Sequence, residues 1–209
     1  MASNPTIFIV DDDEDVRLSL HTLLEAEGFA PESYESATAF LASDAPTRAG
    51  CLIADIRMPD MDGLALQEEL VRRKAGLPVV VVTGHGDVPL AVRAMKAGAV
   101  DFLEKPYDKD VLLASVRRAL DTAEEAHERA AIAQETEVRL GSLTERERQV
   151  LELLVAGRPN KVIAYELDIS PRTVEIHRAR VMEKMRAKSL ADLVRMAVTN
   201  GENGPSIER

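Results

Sequence analysis

Aromatic residues make up only 3% of the 209-residue chain, and tryptophan is absent. Proteins that grip single-stranded nucleic acid do so largely by stacking bases on aromatic rings, so this chain is poorly equipped for that mode. The single cysteine, Cys51, cannot form an internal disulfide, and its apolar neighbours mark it as a buried thiol rather than a nucleophile. No apolar run approaches the length of a membrane span. The segment TIFIV near the N-terminus is too short, and too quickly followed by acids, for a signal peptide. A cytoplasmic protein with no membrane partner is expected.

Positive charge is also scarce, but unevenly so. The formal net charge is -10, which argues against general nucleic-acid affinity. Yet residues 144–197 hold 11 Lys/Arg against 8 Asp/Glu, and residues 170–188 hold 6 against 2. A basic island in an acidic chain points to two domains with different partners.

What is present suffices for packed cores: 45% of residues are hydrophobic and 30% charged. In the first half, short β-rich runs alternate with amphipathic stretches: TIFIV, the weaker FAPESYE, CLIA, PVVVV and AVDFLE read as strands. Between them lie helical patterns, one capped by Ser36 and one closed by Gly28. Five strand–helix alternations without a hairpin dipeptide predict an α/β fold, a doubly wound five-stranded parallel sheet with helices on both faces.

From Asp108 to Leu140 there is no Pro or Gly, which reads as a helix running into a helical linker broken at Gly141. Because apolar periodicity fades after Leu120, a disordered charged tether is the alternative. Beyond Gly141 only short helices are predicted, giving a second, all-α four-helix domain. Thr144 and Glu147 form a capping box, Asn160 caps the next helix, Ser170-Pro171 opens a third, and Ser189 opens a fourth. The expected division is 1–120, a linker 121–141, a domain 142–200 and a flexible tail 201–209.

Functional groups of open parallel sheets gather at the carboxyl ends of the strands. Those ends hold Asp11 and Asp12, then Asp55, Thr83 and Lys105. Three carboxylates suit a hard divalent cation such as Mg²⁺, while Thr83 and Lys105 offer a hydrogen bond and a charge to phosphoryl oxygens. Asp55 then becomes a carboxylate nucleophile. Taken singly, Asp11–Asp15 is a solvated acidic turn, Thr83 a strand end and Lys105 a surface residue; their joint occurrence at successive strand ends favours a site.

In the second half, Asn160–Leu167 and Ser170–Met185 stand at helix-turn-helix spacing. A small bundle that binds another protein is the plain alternative, but the charge asymmetry favours DNA. Val174, His177, Val181 and Met185 recur at helical spacing and are expected to face inward, His177 as a satisfied core or interface histidine. The candidate DNA-facing set is Asn160, Lys161, Ser170, Arg172, Thr173, Glu175, Ile176, Arg178, Ala179 and Arg180, flanked by Arg186.

The stretches IVDDDEDVR, LIADIRMPDMDG, VVVTGHGD and DFLEKP resemble the signatures of a response-regulator receiver domain of flavodoxin-like fold. The run from Leu143 to Met185 resembles the LuxR-type output domain. Together they resemble the NarL/FixJ class of response regulators, on its FixJ branch. The resemblance makes Asp55 the phosphoacceptor, Asp11 and Asp12 the metal pair, Arg57 the donor of a backbone carbonyl to the metal, Thr83 and Lys105 the phosphoryl sensors, and Phe102 an aromatic switch. It implies a cis Lys105–Pro106 bond and assigns phosphoryl lifetime to Arg57 and His85. Receiver pairing is implied through Val88, Val92, Met95 and Val100, and output-domain pairing through Leu190, Leu193 and Val194.

The implied function is a two-component transcription activator. A sensor histidine kinase phosphorylates it, it pairs when phosphorylated and is a monomer otherwise, and it acts on double-stranded promoter DNA and RNA polymerase, with nitrogen-fixation genes as the branch's targets. The rivals are a FixJ-like regulator of another pathway, a constitutive DNA-binding module, and a metal-dependent phosphohydrolase. The last needs a second carboxylate two residues after Asp55, where Arg57 stands.

Overall fold

The computed structural model describes residues 4–84 and 86–201, so His85 and all but the first residue of the expected tail lie outside it. The chain divides into two compact units between His127 and Glu128.

The first unit alternates β1 (Thr6–Val10), α1 (Glu14–Ala26), β2 (Ala30–Tyr34), α2 (Ala37–Ala42), a short 3₁₀ turn, β3 (Cys51–Asp55), α3 (Gly63–Arg72), β4 (Val79–Thr83), α4 (Val88–Lys96) and β5 (Asp101–Glu104). All strand pairs are parallel, in the order β2-β1-β3-β4-β5. Strand alternation divides the apolar runs between two faces. Phe8, Val10, Leu52, Ala54, Val79 and Val81 pack under α2, α3 and α4. Ile7, Ile9, Cys51, Ile53, Val80 and Val82 pack against Leu20 and Leu24 of α1 and against Leu112, Leu113 and Val116 of the next helix. Burial on both sides is why these strands read as continuous apolar runs.

Helix starts follow local chemistry. Asp13, Ser36, Asp62 and Asp87 each accept a backbone N–H of the first turn they precede. Strand order reverses direction at β1 and β3, whose carboxyl ends therefore flank the crevice where such sheets bind ligands.

Helix α5 runs 33 residues, Lys109–Gly141, so the expected linker is helical rather than a tether. Residues 124–132 are exposed on every side, which explains why apolar periodicity vanishes there. The unit boundary falls in this stretch. The later part of the expected linker packs with the second unit: Thr136 is buried, Leu140 joins its core, and Arg139 donates to the carbonyl of Met185 at 3.1 Å.

The second unit adds α6 (Glu145–Val155), α7 (Asn160–Glu166), α8 (Pro171–Met185) and α9 (Leu190–Gly201). Val150, Leu154, Ile163, Val174, Val181, Met185 and Leu193 form its core. The Thr144–Glu147 capping box is formed, and Ser170 caps α8. Asn160 does not cap α7: Pro159 holds the cap position, and the side-chain Oδ1 of Asn160 accepts from Arg178 instead, at 3.5 Å. Among the described residues no helix is long and apolar enough to cross a membrane.

Candidate functional site

The sheet brings Asp11, Asp55, Thr83 and Lys105 to one edge, and their environments differ from those of ordinary surface charges. Asp11 and Asp55 are almost wholly buried and Thr83 fully so. Lys105 Nζ donates to Asp11 Oδ2 and to Asp55 Oδ1, each at 2.7 Å. The other oxygens are taken by backbone: Asp13 N–H donates to Asp11 Oδ1 at 3.0 Å, and Arg57 N–H to Asp55 Oδ2 at 2.6 Å. One ammonium thus bridges two buried carboxylates, which offsets the cost of burying them.

Burial raises the Asp55 carboxyl above its ordinary range, the Asp11 charge adds to this, and Lys105 and the Arg57 N–H draw it back only in part. For Lys105, burial opposes the charged form, but its two carboxylate partners outweigh it and the ammonium is held more firmly than usual. The Tyr107 phenol is also raised, chiefly by burial.

Asp12 is exposed at the rim. Arg57 sends its side chain to solvent, and the part of it at the site is backbone. An all-oxygen set of donors suits a hard cation, which needs only one or two carboxylates and fills its remaining positions with carbonyl or water. Among the described residues no three His, Cys, Asp or Glu side chains are already gathered around one point. Asp11, Asp55, Asp12 and the Arg57 carbonyl are the groups that would hold it. The Lys105–Pro106 bond is cis. His85 lies outside the described residues.

Two contributors carried no obvious signal. Gly63 opens α3 so close to β3 that a Cβ there would collide with the Asp55 carbonyl oxygen; the Asp-Gly pair of the PDMDG turn was the clue. Arg17 on α1 donates to the Asp11 carbonyl at 2.8 Å, and only the fold brings them together.

Phe102 is half-buried against the α3–α4 side of the core. Of the pairing residues, Val88, Val92 and Met95 stand exposed on α4. Val100 departs from that row: it is half-buried and packs against the core on the opposite face of the sheet. Leu193 is likewise removed from the expected pairing face, because it is fully buried in its own domain. Leu190 is exposed, and Val194 half-buried.

On α8, Val174, Val181 and Met185 face inward as expected, while Arg172, Glu175, Ile176, Ala179 and Arg180 are exposed. Lys161 and Ser170 are exposed, and Asn160, Thr173 and Arg178 half-buried. His177 is not the satisfied histidine expected: its Nδ1 is buried without a hydrogen-bond partner among the described residues.

Residues 7–117 match the response regulator receiver domain, and residues 141–197 match the bacterial regulatory proteins of the luxR family. The transcriptional regulatory protein FixJ of Rhizobium meliloti is 54% identical over 201 residues, covering 96% of this chain and 98% of that one. The response regulator protein TodT of Pseudomonas putida F1 is 43% identical, covering 91% and 84%, and nodulation protein W of Bradyrhizobium diazoefficiens is 43% identical, covering 93% and 86%. Among solved structures, the response regulator StyR superposes with a TM-score of 0.81 at 44% identity, covering 93% of this chain and 98% of that one. Full-length FixJ of B. japonicum gives 0.58 at 48% identity, covering 96% and 99%. The bridged carboxylates at the sheet edge, the helix-turn-helix of the second unit and these matches lead to one conclusion: the chain belongs to the NarL/FixJ class of two-component response regulators, a receiver domain joined to a LuxR-type DNA-binding domain.

Proposed function

We propose that Asp55 accepts a phosphoryl group from a sensor histidine kinase and that this switches the chain to a DNA-binding dimer that activates transcription. The observation that carries the reading is the Lys105 bridge to Asp11 and Asp55 at 2.7 Å. In the transfer, Asp55 Oδ1 or Oδ2 forms a P–O bond as the P–N bond of the phosphohistidine breaks, and the histidine keeps that electron pair. A divalent cation such as Mg²⁺ supplies charge neutralisation when bound. Lys105 pairs with the added negative charge, and the Thr83 hydroxyl donates a hydrogen bond to a phosphoryl oxygen.

The response then passes to Phe102 and to α4, whose exposed Val88, Val92 and Met95 supply an apolar row for a second copy. Pairing places two α8 helices on neighbouring half-sites of promoter DNA, where RNA polymerase is engaged. Leu190 and Val194 are the accessible candidates for contact between output domains. Arg57 and His85 tune how water reaches the phosphoryl group.

The chain is thereby a substrate and a switch, not a turnover enzyme: Arg57 stands where an aspartyl-phosphate hydrolase would need its second carboxylate. A cytoplasmic location follows from its promoter and kinase partners. Control of nitrogen-fixation genes is the finer reading, supported by the FixJ relatives; the similarity to TodT and to nodulation protein W keeps another pathway as the second reading.

The direct test is intact-mass measurement after incubation with acetyl phosphate and Mg²⁺. One phosphoryl adduct is expected on the wild type, with none on Asp55→Asn or after chelation by EDTA. An adduct retained by Asp55→Asn would overturn the assignment.

A further inference from the structure

Strand β5 alternates its side chains between the two faces of the sheet. Leu103 packs on the side covered by α1 and α5, and Phe102 on the side covered by α3 and α4, so Glu104 shares the face of Phe102. The ladder sets Glu104 opposite Thr83. The next residue, Lys105, donates its backbone N–H to the Thr83 carbonyl at 2.7 Å. Glu104 therefore adjoins both groups expected to meet a phosphoryl, Thr83 across the ladder and Lys105 along the chain.

Its carboxylate is engaged at the entry of α4. Gly86 donates its backbone N–H to Glu104 Oε1 at 3.2 Å, one residue before Asp87 caps that helix. The fit is close: a Cβ on Gly86 would stand 3.1 Å from Glu104 Cδ and 3.3 Å from Phe102 Cε1. A glycine lets the backbone lie against both side chains at once. Among the described residues the Glu104 carboxylate has no other hydrogen-bond or ion-pair partner.

A hydrogen bond to a carboxylate is stronger than one between neutral groups, although solvent weakens it at this exposed position. It joins the end of β5, beside the Phe102 ring, to the start of α4, whose Val88 and Val92 stand exposed. A contact made in only one of two states lowers the population of the other by its own free energy.

We propose that Glu104 is a positioning residue: its bond to Gly86 holds the start of α4 and Phe102 in the unphosphorylated arrangement and is given up when the chain switches. This rests on the reading of Asp55 as phosphoacceptor and adds a residue to it. Thr83 lies three residues before Gly86, so drawing its hydroxyl onto a phosphoryl oxygen at Asp55 pulls against the tether. The tether sets how far the unphosphorylated chain leans towards pairing.

The test measures the monomer–dimer equilibrium of the unphosphorylated full chain by sedimentation, and phosphoryl uptake from acetyl phosphate with Mg²⁺ by intact mass. Glu104→Ala should pair about fivefold more tightly than the wild type before any phosphodonor is added, and should take up phosphoryl faster. Glu104→Gln loses the charge but keeps an acceptor oxygen, so it should stay closer to the wild type, which separates the tether from a charge effect at the pairing surface. Gly86 is not in the left-handed region, so Gly86→Ala is tolerated by the backbone while crowding Glu104 and Phe102. It should act in the same direction and add nothing to Glu104→Ala. A merely structural role would lower the Tm of these variants without tightening pairing. Equal pairing of wild type and Glu104→Ala, where acetyl phosphate still drives the wild type to dimer, would overturn the tether alone. A wild type that takes up no phosphoryl at Asp55 would overturn the reading beneath it as well.

Discussion

Lys105 Nζ and Asp55 Oδ1 stand 2.7 Å apart at the ends of two strands separated by β4 in the sheet. The same ammonium holds Asp11 at the same distance. The bridge explains how two neighbouring strand ends each tolerate a buried carboxylate, and it fixes what should happen when either partner is removed.

Replacing Lys105 by Met leaves two buried carboxylates without their cation. Breaking such a contact from one side costs about 3–5 kcal/mol where burial is complete, and less here because Lys105 itself is partly exposed. A lower Tm of the receiver and loss of the phosphorylation-driven response are expected, measured by calorimetry and by DNA binding with acetyl phosphate.

Asp55→Asn should act in the opposite direction on stability. Burial holds the Asp55 carboxyl above its ordinary value, so the folded state favours its protonated form. Stability from this group is complete below the unfolded pKa and is lost as pH rises through the folded one. The variant should therefore melt higher than the wild type at neutral pH, with the difference shrinking in acid. Paired thermal scans from neutral to acidic pH check this.

Glu147 carries the reverse sign. It is buried at the start of α6, where Lys184 Nζ donates to it at 2.6 Å and the Thr144 N–H at 2.9 Å, and these bonds lower its carboxyl to about 2. Its contribution is present above the ordinary carboxylate range near 4.5 and is lost as pH falls towards about 2. Glu147→Gln should cost the output domain about 1–2 kcal/mol at neutral pH. It should also flatten that domain's acid unfolding between those two values, as followed by circular dichroism.

The last turns of α5 belong to the output domain. Arg139 caps the carboxyl end of α8 at Met185, where Lys184 and Arg186 add further positive charge beside a helix C-terminus. A fragment beginning at Glu128 should therefore be more stable than one beginning at Ser142. Arg139→Ala should cost about 1 kcal/mol. Urea unfolding of the three proteins gives the comparison.

On α8, Arg180 and Glu175 are both exposed but should fail differently. Arg180→Ala should weaken all DNA sequences alike and reduce the salt slope by about one. Glu175→Ala should relax preference at one base pair, worth about 1–3 kcal/mol of discrimination. Binding titrations at several salt concentrations, on matched and altered sites, separate the two.

Much of this is legible in the sequence, for particular reasons. Strands buried on both faces read as unbroken apolar runs, so TIFIV, CLIA and PVVVV could be placed and their ends named Asp11, Asp55 and Thr83, and the end of the weaker run DFLE named Lys105. Helix entries were legible where a side-chain oxygen precedes the first turn, as at Ser36, Thr144 and Ser170. Asn160 misled because Pro159 already holds the cap position, which freed the amide to meet Arg178. Leu193 and Val100 misled because helical and strand spacing assigns a face without saying which neighbour covers it. The Arg17 contact with Asp11 depends on tertiary approach, and nothing local announces it.

The central claim, that charge added at Asp55 drives pairing and DNA binding, is tested most directly by sedimentation and promoter-fragment binding with and without acetyl phosphate and Mg²⁺. The comparison is between the wild type and Asp55→Asn. The account predicts a phosphodonor-dependent shift to dimer with tighter DNA binding in the wild type alone. Equal association and equal DNA binding in all four conditions would contradict it and identify a constitutive DNA-binding protein.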